Sequence, residues 1–338
     1  MIGDTIERVV RREDLDGPTM ENALDQILEG QVSEAQIAAF VIALRMKGET
    51  VDEIAAAARA MRRRCVRIEP KVDGPLLDTA GTGGDGLHTF NISTASAIVI
   101  AACGVSVAKH GNRAASSKAG SADVLEALGL RIDSKPDKVR RAIEEVGIGF
   151  LFAQAHHGAL RHAAPVRRQL TGRTIFNMLG PLSNPAGATH QIVGVYGGAP
   201  LDRIAGALGA LGLTRAWVVR GDDGLDEVSP ESTTQVAAYG GGHVERSELT
   251  PASFGVEPVP VTGLIGGEPD DNAEIIRRVL AGETGPPRAA VLLNAGAGLC
   301  VAGVATTPAE GAARAADAID SGDAARTLAR WIEFTSDA

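Results

Sequence analysis

Four stretches of the chain hold side chains whose types and spacing could do chemistry. The first is Gly81-Thr82-Gly83-Gly84-Asp85-Gly86, followed by Asn91-Ile92-Ser93-Thr94 at the start of an apolar run. It satisfies G-x-G-x-x-G, a weak signal alone. A nicotinamide site also needs an acid at the end of the next strand to hold a ribose hydroxyl. Here the strand expected over 105–108 runs into Lys109, and the next acid is Asp123. What remains is a turn with free backbone N–H groups and small hydroxyls, which can seat an anion or serve only as a tight turn with a helix cap. The second stretch is Lys109-His110-Gly111-Asn112-Arg113, then Ser116-Ser117-Lys118-Ala119-Gly120-Ser121. Lys109, Arg113 and Lys118 fall between 105 and 122 with no acid among them. That local excess suggests an anionic ligand, and a Gly- and Ser-rich loop after a strand suits phosphate. A solvated loop would explain the cations but not Gly111, Asn112 and the paired serines.

The third stretch is the acidic turn Gly221-Asp222-Asp223-Gly224-Leu225-Asp226-Glu227. Magnesium takes few protein oxygens and fills its shell with water and phosphate. Such a turn is by itself more often a solvated loop; opposite a phosphate loop the metal reading gains weight. The fourth runs from His156-His157-Gly158-Ala159-Leu160-Arg161-His162 through Arg167 to the stretch 173–185. Its three histidines lack a carboxylate or cysteine at zinc-ligand spacing, so zinc is discounted. Arg167 suits bidentate binding of a carboxylate, or else a surface ion pair.

The elements that must position these residues follow from periodicity. Apolar residues at Met20, Ala23, Leu24, Ile27 and Leu28 predict a helix ending at Gly30. Ser33 with Gln36 and Thr50 with Glu53 have capping-box spacing. Ile37, Phe40, Val41 and Leu44 form one stripe, which serves as core or as a dimer face. The Arg62-Arg63-Arg64 cluster reads as solvated cations at a helix C-terminus. Composition shifts at 70–75. Beyond it, β-like runs at 105–108, 192–196 and 216–219 alternate with helical ones at 94–102, 122–128 and 201–211. That alternation predicts a mainly parallel sheet with ligands at the strand C-termini. The fold class is therefore α/β: a small helical domain over residues 1–70 and a large α/β domain over 71–338.

Composition bounds the function. The 338 residues are 44% apolar but only 3% aromatic, and the charge is 33 − 42 = −9. An acidic chain short of stacking rings is a poor nucleic-acid binder. Three separated cysteines and the absence of any long apolar run lead us to expect a cytoplasmic protein with no membrane partner.

In their order along the chain, these motifs resemble those of the anthranilate phosphoribosyltransferases. The residues that carry the resemblance are Gly81 to Asp85, Asn91, Ser93, Thr94, Lys109 to Arg113, the stretch 173–185, Asp226 and Glu227, together with Ala43-Leu44-Arg45-Met46-Lys47-Gly48-Glu49-Thr50. It covers residues 19–303. The resemblance implies a fold shared with thymidine-type nucleoside phosphorylases, residues 165–182 joining the helical domain, and a homodimer formed through that domain. It implies transfer of phosphoribosyl from phosphoribosyl pyrophosphate to anthranilate in tryptophan biosynthesis, with Mg2+ as cofactor. Gly81, Gly84, Asp85, Thr89, Asn91, Ser93, Thr94, Lys109 and Ser121 would hold the donor. Ser93, Asp226 and Glu227 would hold magnesium, and Gly81, His110, Asn112 and Arg167 would line the anthranilate site. Lys109, Asp226 and Glu227 would be catalytic. Gln154, Gly158 and Leu160 depart from the family's usual residues beside the acceptor entrance. A pyrimidine nucleoside phosphorylase and a non-catalytic nucleic-acid-binding relative are the alternatives on the same fold.

Overall fold

The computed structural model describes residues 2–114 and 118–336. Its first four helices are α1 (Ile2–Val10), α2 (Gly17–Leu28), α3 (Glu34–Lys47) and α4 (Val51–Arg63). Side chains cap three of them: Asp16 accepts from the N–H of Thr19, and Ser33/Gln36 and Thr50/Glu53 form capping boxes. Glu53 does more than cap. Its buried carboxylate also accepts from the N–H of Leu15 at 2.9 Å and pairs with Lys47 at 2.9 Å, tying three segments together. Ile37, Phe40, Val41 and Leu44 are all buried within one chain, so this stripe is core.

The arginine cluster is only partly solvated: Arg63 stays exposed as expected, while Arg62 does not. Arg63 and Arg64 pair with Glu21, Asp25 and Glu29. Arg62 turns inward and donates to the carbonyls of Leu182 (2.8 Å) and Leu211 (3.3 Å). Those carbonyls lie at or just beyond helix ends, where no intrahelical donor reaches them, and the burial lowers the guanidinium pKa to about 10.

The sheet contains β1 (Leu76–Gly81), β2 (Ser106–Gly111), β3 (Ile148–Phe152), β4 (His190–Gly194), β5 (Arg215–Gly221), β6 (Thr234–Gly240) and β7 (His243–Leu249). Its order is β3-β2-β1-β4-β5-β6-β7. The first five are parallel, and β6 and β7 add antiparallel at one edge. Between strands lie α5 (Ile92–Ala102), α6 (Ser121–Leu128), α7 (Pro136–Val146), α8 (Ala153–His156), α9 (Ala164–Gln169), α10 (Ile175–Leu179) and α11 (Leu201–Ala210). After β7 come α12 (Pro269–Leu280), α13 (Pro286–Val301), α14 (Pro308–Asp320) and α15 (Asp323–Ser336).

Successive strand side chains face opposite ways. Leu77, Val107 and Phe150 pack with α5, α6, α12, α13 and α15. On the other face, Val193, Val218 and Ala237 join α11 and the helical bundle in one apolar cluster. Ala163, Val166, Ile175, Phe176, Met178, Leu179 and Leu182 belong to that same cluster. The stretch 163–182 therefore packs against the bundle within this cluster, although it follows β3 in the chain.

Candidate active site

The turns after β1, β2 and β5 meet at the C-terminal edge of the sheet. Gly81 ends β1 beside Gly194, which ends β4. These two glycines let the turn after β5 fold back over them. A Cβ on Gly194 would lie 1.6 Å from the carbonyl oxygen of Asp226, and one on Gly81 would lie 3.2 Å from Asp226 Oδ2. Asp226 and Glu227 thereby stand beside the glycine-rich loop. Asp222 and Asp223, in the same acidic turn, are engaged elsewhere. Asp223 accepts from the hydroxyl of Ser229 and Asp222 from the amide of Gln235, so they brace the turn instead.

Both Asp226 and Glu227 keep some surface in the cleft, yet dehydration dominates their titration. Burial, repulsion from Glu227 and then from Asp85 raise the carboxyl pKa of Asp226 well above the usual range. Burial raises Glu227 to about 7, against the opposing pull of Lys109 and hydrogen bonds from Ser93. Nearby Asp85 Oδ2 and Thr94 Oγ1 are buried with no partner, which marks them as groups awaiting a ligand.

Strand β2 divides the site. Lys109 points to the α5 side, where it is 2% exposed. Its ammonium donates to the carbonyl of Thr79 at 2.7 Å and lies 3.4 Å from Ser93 Oγ. Burial lowers its pKa to about 8, while Asp78 and Glu227 pull it up. The next residue, His110, points the other way. Its backbone N–H donates to Asp78 Oδ1 at 3.0 Å. His157 stands opposite, with ring centroids 5.0 Å apart. Nε2 of both rings is buried without a partner. Burial first, then the neighbouring imidazoles, hold both neutral, His157 down to about 4. In the tautomer that carries its proton on Nδ1, each ring offers a bare Nε2 lone pair.

The remaining sequence candidates fall around these groups. Asn91 ties the loop at Ala119 to α12, donating to the carbonyl of Ala119 at 3.2 Å and accepting from Asn272 at 3.0 Å. Thr89 makes a backbone bridge to Ile265. Ser121 opens α6, with Oγ 3.3 Å from the Asn112 carbonyl. Asn112 Oδ1 accepts from the N–H of Arg113 and lies 3.4 Å from Gln154 Nε2. Arg167 is exposed at the end of α9, and no acid among the described residues pairs with it. Arg113 is not the free cation its sequence suggested, because Asp123 and Glu126 neutralise it from α6. Ser116 and Ser117 lie outside the described residues. Two participants escaped sequence reasoning. His157 was weighed only as a zinc ligand, and Asp78 sits in an apolar strand whose burial only the fold reveals.

Family models match both parts of the chain. The helical bundle domain of the glycosyl transferase family matches residues 3–65, and its a/b domain matches residues 73–325. An anthranilate phosphoribosyltransferase from Rhodospirillum rubrum is 53% identical over 92% of this chain and 89% of its own length. One from a Geobacter species is 49% identical over the full length of both. The chain belongs to the anthranilate phosphoribosyltransferase family. The crystal structure of a member from Thermus thermophilus superposes with a TM-score of 0.93 at 44% identity, covering 99% of this chain and 100% of that one. A member from Saccharomyces cerevisiae, solved in complex with phosphoribosyl pyrophosphate and magnesium, gives 0.87 at 29% identity over 98% of each chain.

Proposed function

We propose that this chain transfers the 5-phosphoribosyl group of phosphoribosyl pyrophosphate to the amine of anthranilate, releasing pyrophosphate, as a step of tryptophan biosynthesis. The observation that carries the proposal is the alternation at the end of β2. Lys109 faces the glycine loop and the acidic turn, and His110 faces a second, neutral half-site with His157. One strand end thus serves an anionic donor on one side and an amine on the other.

The donor would be held by Gly81, Gly84, Asp85, Thr89, Asn91, Ser93, Thr94, Lys109 and Ser121. The residues present fit magnesium. Two adjacent carboxylates carry raised pKa values, chiefly because burial strips water from them and then through like-charge repulsion, and among the described residues no third His, Cys, Asp or Glu completes an all-protein cage. Magnesium suits one or two carboxylates plus phosphate oxygens. Ser93, Asp226 and Glu227 would hold it, and when bound it supplies positive charge to the leaving pyrophosphate. Lys109, buried beside them, adds a fixed cation where negative charge develops. Its dry surroundings make that contact stronger than it would be in water.

Anthranilate would lie between Gly81, His110, Asn112 and Arg167, its carboxylate toward Arg167. The two imidazole Nε2 lone pairs would accept its amine N–H groups, turning the nitrogen lone pair to the anomeric carbon. A neutral aromatic amine is already nucleophilic, so positioning and leaving-group stabilisation carry most of the rate. Attack opposite the pyrophosphate inverts the anomeric centre. Gly158 tolerates its place without strain, since a Cβ there would meet nothing within 4 Å. We also assign a homodimer through the bundle, supported by exposed Val10 and Met46, and a cytoplasmic location. No helix among the described residues is long and apolar enough to cross a membrane.

The test is the loss of anthranilate fluorescence when phosphoribosyl pyrophosphate and magnesium are added. A loss that requires both supports the proposal. No loss, with donor binding intact by calorimetry, would mean that the acceptor is a different amine.

A further inference from the structure

Arg173, in the connection between α9 and α10, is half-buried, and none of the described residues gives its guanidinium a hydrogen bond or an acidic partner. A partly dehydrated cation without a counter-charge is costly, and this chain has 42 acidic residues from which to supply one. The carboxyl whose charge reaches the neighbouring Tyr196 is Glu49. It is buried and pushed toward its neutral form, chiefly by that burial.

The position of the guanidinium is specific. One side lies over the ring of Tyr196, with Cζ 5.1 Å from the ring centroid. The other lies on Gly84, where an added Cβ would be 1.1 Å from Arg173 Nη2. Gly84 has φ of +80° and no side chain, so the loop is shaped to admit this cation. The ring and the loop are tied in turn, because the N–H of Tyr196 donates to Thr82 Oγ1 at 3.0 Å. Arg173 is anchored on the other side of the cleft. Ile175, Phe176, Met178 and Leu179, immediately after it, are packed into the helical bundle. Arg45 of α3 backs the same turn, with Nη1 2.0 Å from where a Cβ on Gly172 would stand.

We propose that Arg173 is an anion ligand of the donor's pyrophosphate, presented by the bundle to the glycine loop, so that the donor's phosphates link the two domains. The inference rests on the functional reading above and extends it to a residue that reading does not use. A guanidinium fork can give two parallel N–H donors to phosphate oxygens. Tyr196 lies against the guanidinium meanwhile, and lysine, a point charge, would not reproduce the fork.

The test is calorimetric titration of the wild type, Arg173→Gln and Arg173→Lys with magnesium pyrophosphate and, separately, with ribose 5-phosphate. Arg173→Gln should weaken magnesium pyrophosphate about tenfold or more, the range for a charge-assisted contact. It should leave ribose 5-phosphate within about twofold, with Arg173→Lys in between. Unchanged pyrophosphate affinity overturns the inference. So does an equal loss for both ligands, which would make Arg173 a support for loop shape. A wild type that binds neither ligand refutes the functional reading, and this inference with it.

Discussion

Gly194→Ala tests the geometry without touching a charged group. The glycine's φ is not in the left-handed region, so the added methyl acts only through contact. It would lie 1.6 Å from the carbonyl oxygen of Asp226, 2.5 Å from its carbonyl carbon and 3.2 Å from the nitrogen of Glu227. Real Cβ contacts essentially never fall below 3.0 Å, so the turn must withdraw by about 1.4 Å, carrying both carboxylates with it. Overpacking of this kind costs ~1–3 kcal/mol of stability. Misplacement by ~1 Å costs on the order of a hundredfold in rate. The assay is the initial rate of anthranilate fluorescence loss across a magnesium titration, with a thermal melt as control. Turnover should fall about a hundredfold and the magnesium midpoint should rise, while the fold is retained with a modest loss in melting temperature. Wild-type turnover with an unmoved magnesium midpoint would refute the reasoning, because the acidic turn would then not need to rest on β4.

Other outcomes follow from the same geometry. Lys109→Met removes the buried cation and should cut turnover about a hundredfold or more in the fluorescence assay; a loss under about threefold would take Lys109 out of the transition state. Arg167→Gln should raise the KM for anthranilate about tenfold and leave that for phosphoribosyl pyrophosphate unchanged, and steady-state kinetics with each substrate varied would separate the two. Asp78 gives a pH signature. Burial lifts its carboxyl from 3.8 to about 6. A raised carboxyl favours folding below its unfolded pKa, and that stability is lost as pH rises through about 6. Asp78→Asn should escape the loss, so the stability difference should move toward the variant by ~2.4 kcal/mol between about pH 4 and about pH 8. Urea melts at both values measure it. His157, held neutral down to about 4, slopes the opposite way and cancels in the difference. A difference that does not change with pH would contradict the assignment.

Much of this was legible in the sequence because the signals were local. Capping boxes, a 3.6-residue apolar stripe and glycine-rich turns after β-like runs each report on a few neighbouring residues. They led to the bundle, the parallel strands and the loop that carries Lys109. What stayed hidden depends on contacts far apart in the chain. Arg113 reads as free until α6 turns Asp123 and Glu126 toward it. Arg62 reads as solvated until the carbonyl of Leu182, 120 residues later, claims it. Asp222 and Asp223 look equal to Asp226 and Glu227 as composition, and only the backbone approach at Gly194 decides which pair enters the cleft. The antiparallel hairpin of β6 and β7 gave no clear period, since β7 is largely exposed and mixes charged and apolar residues.

The most direct test of the central claim is the stoichiometry of the reaction. The protein would be incubated with phosphoribosyl pyrophosphate, anthranilate and magnesium, and pyrophosphate and N-phosphoribosyl anthranilate would be quantified by mass spectrometry. The account predicts equal amounts of the two products, neither of which forms when anthranilate or magnesium is left out. Pyrophosphate released at the same rate without anthranilate, or no coupled product at all, would contradict it.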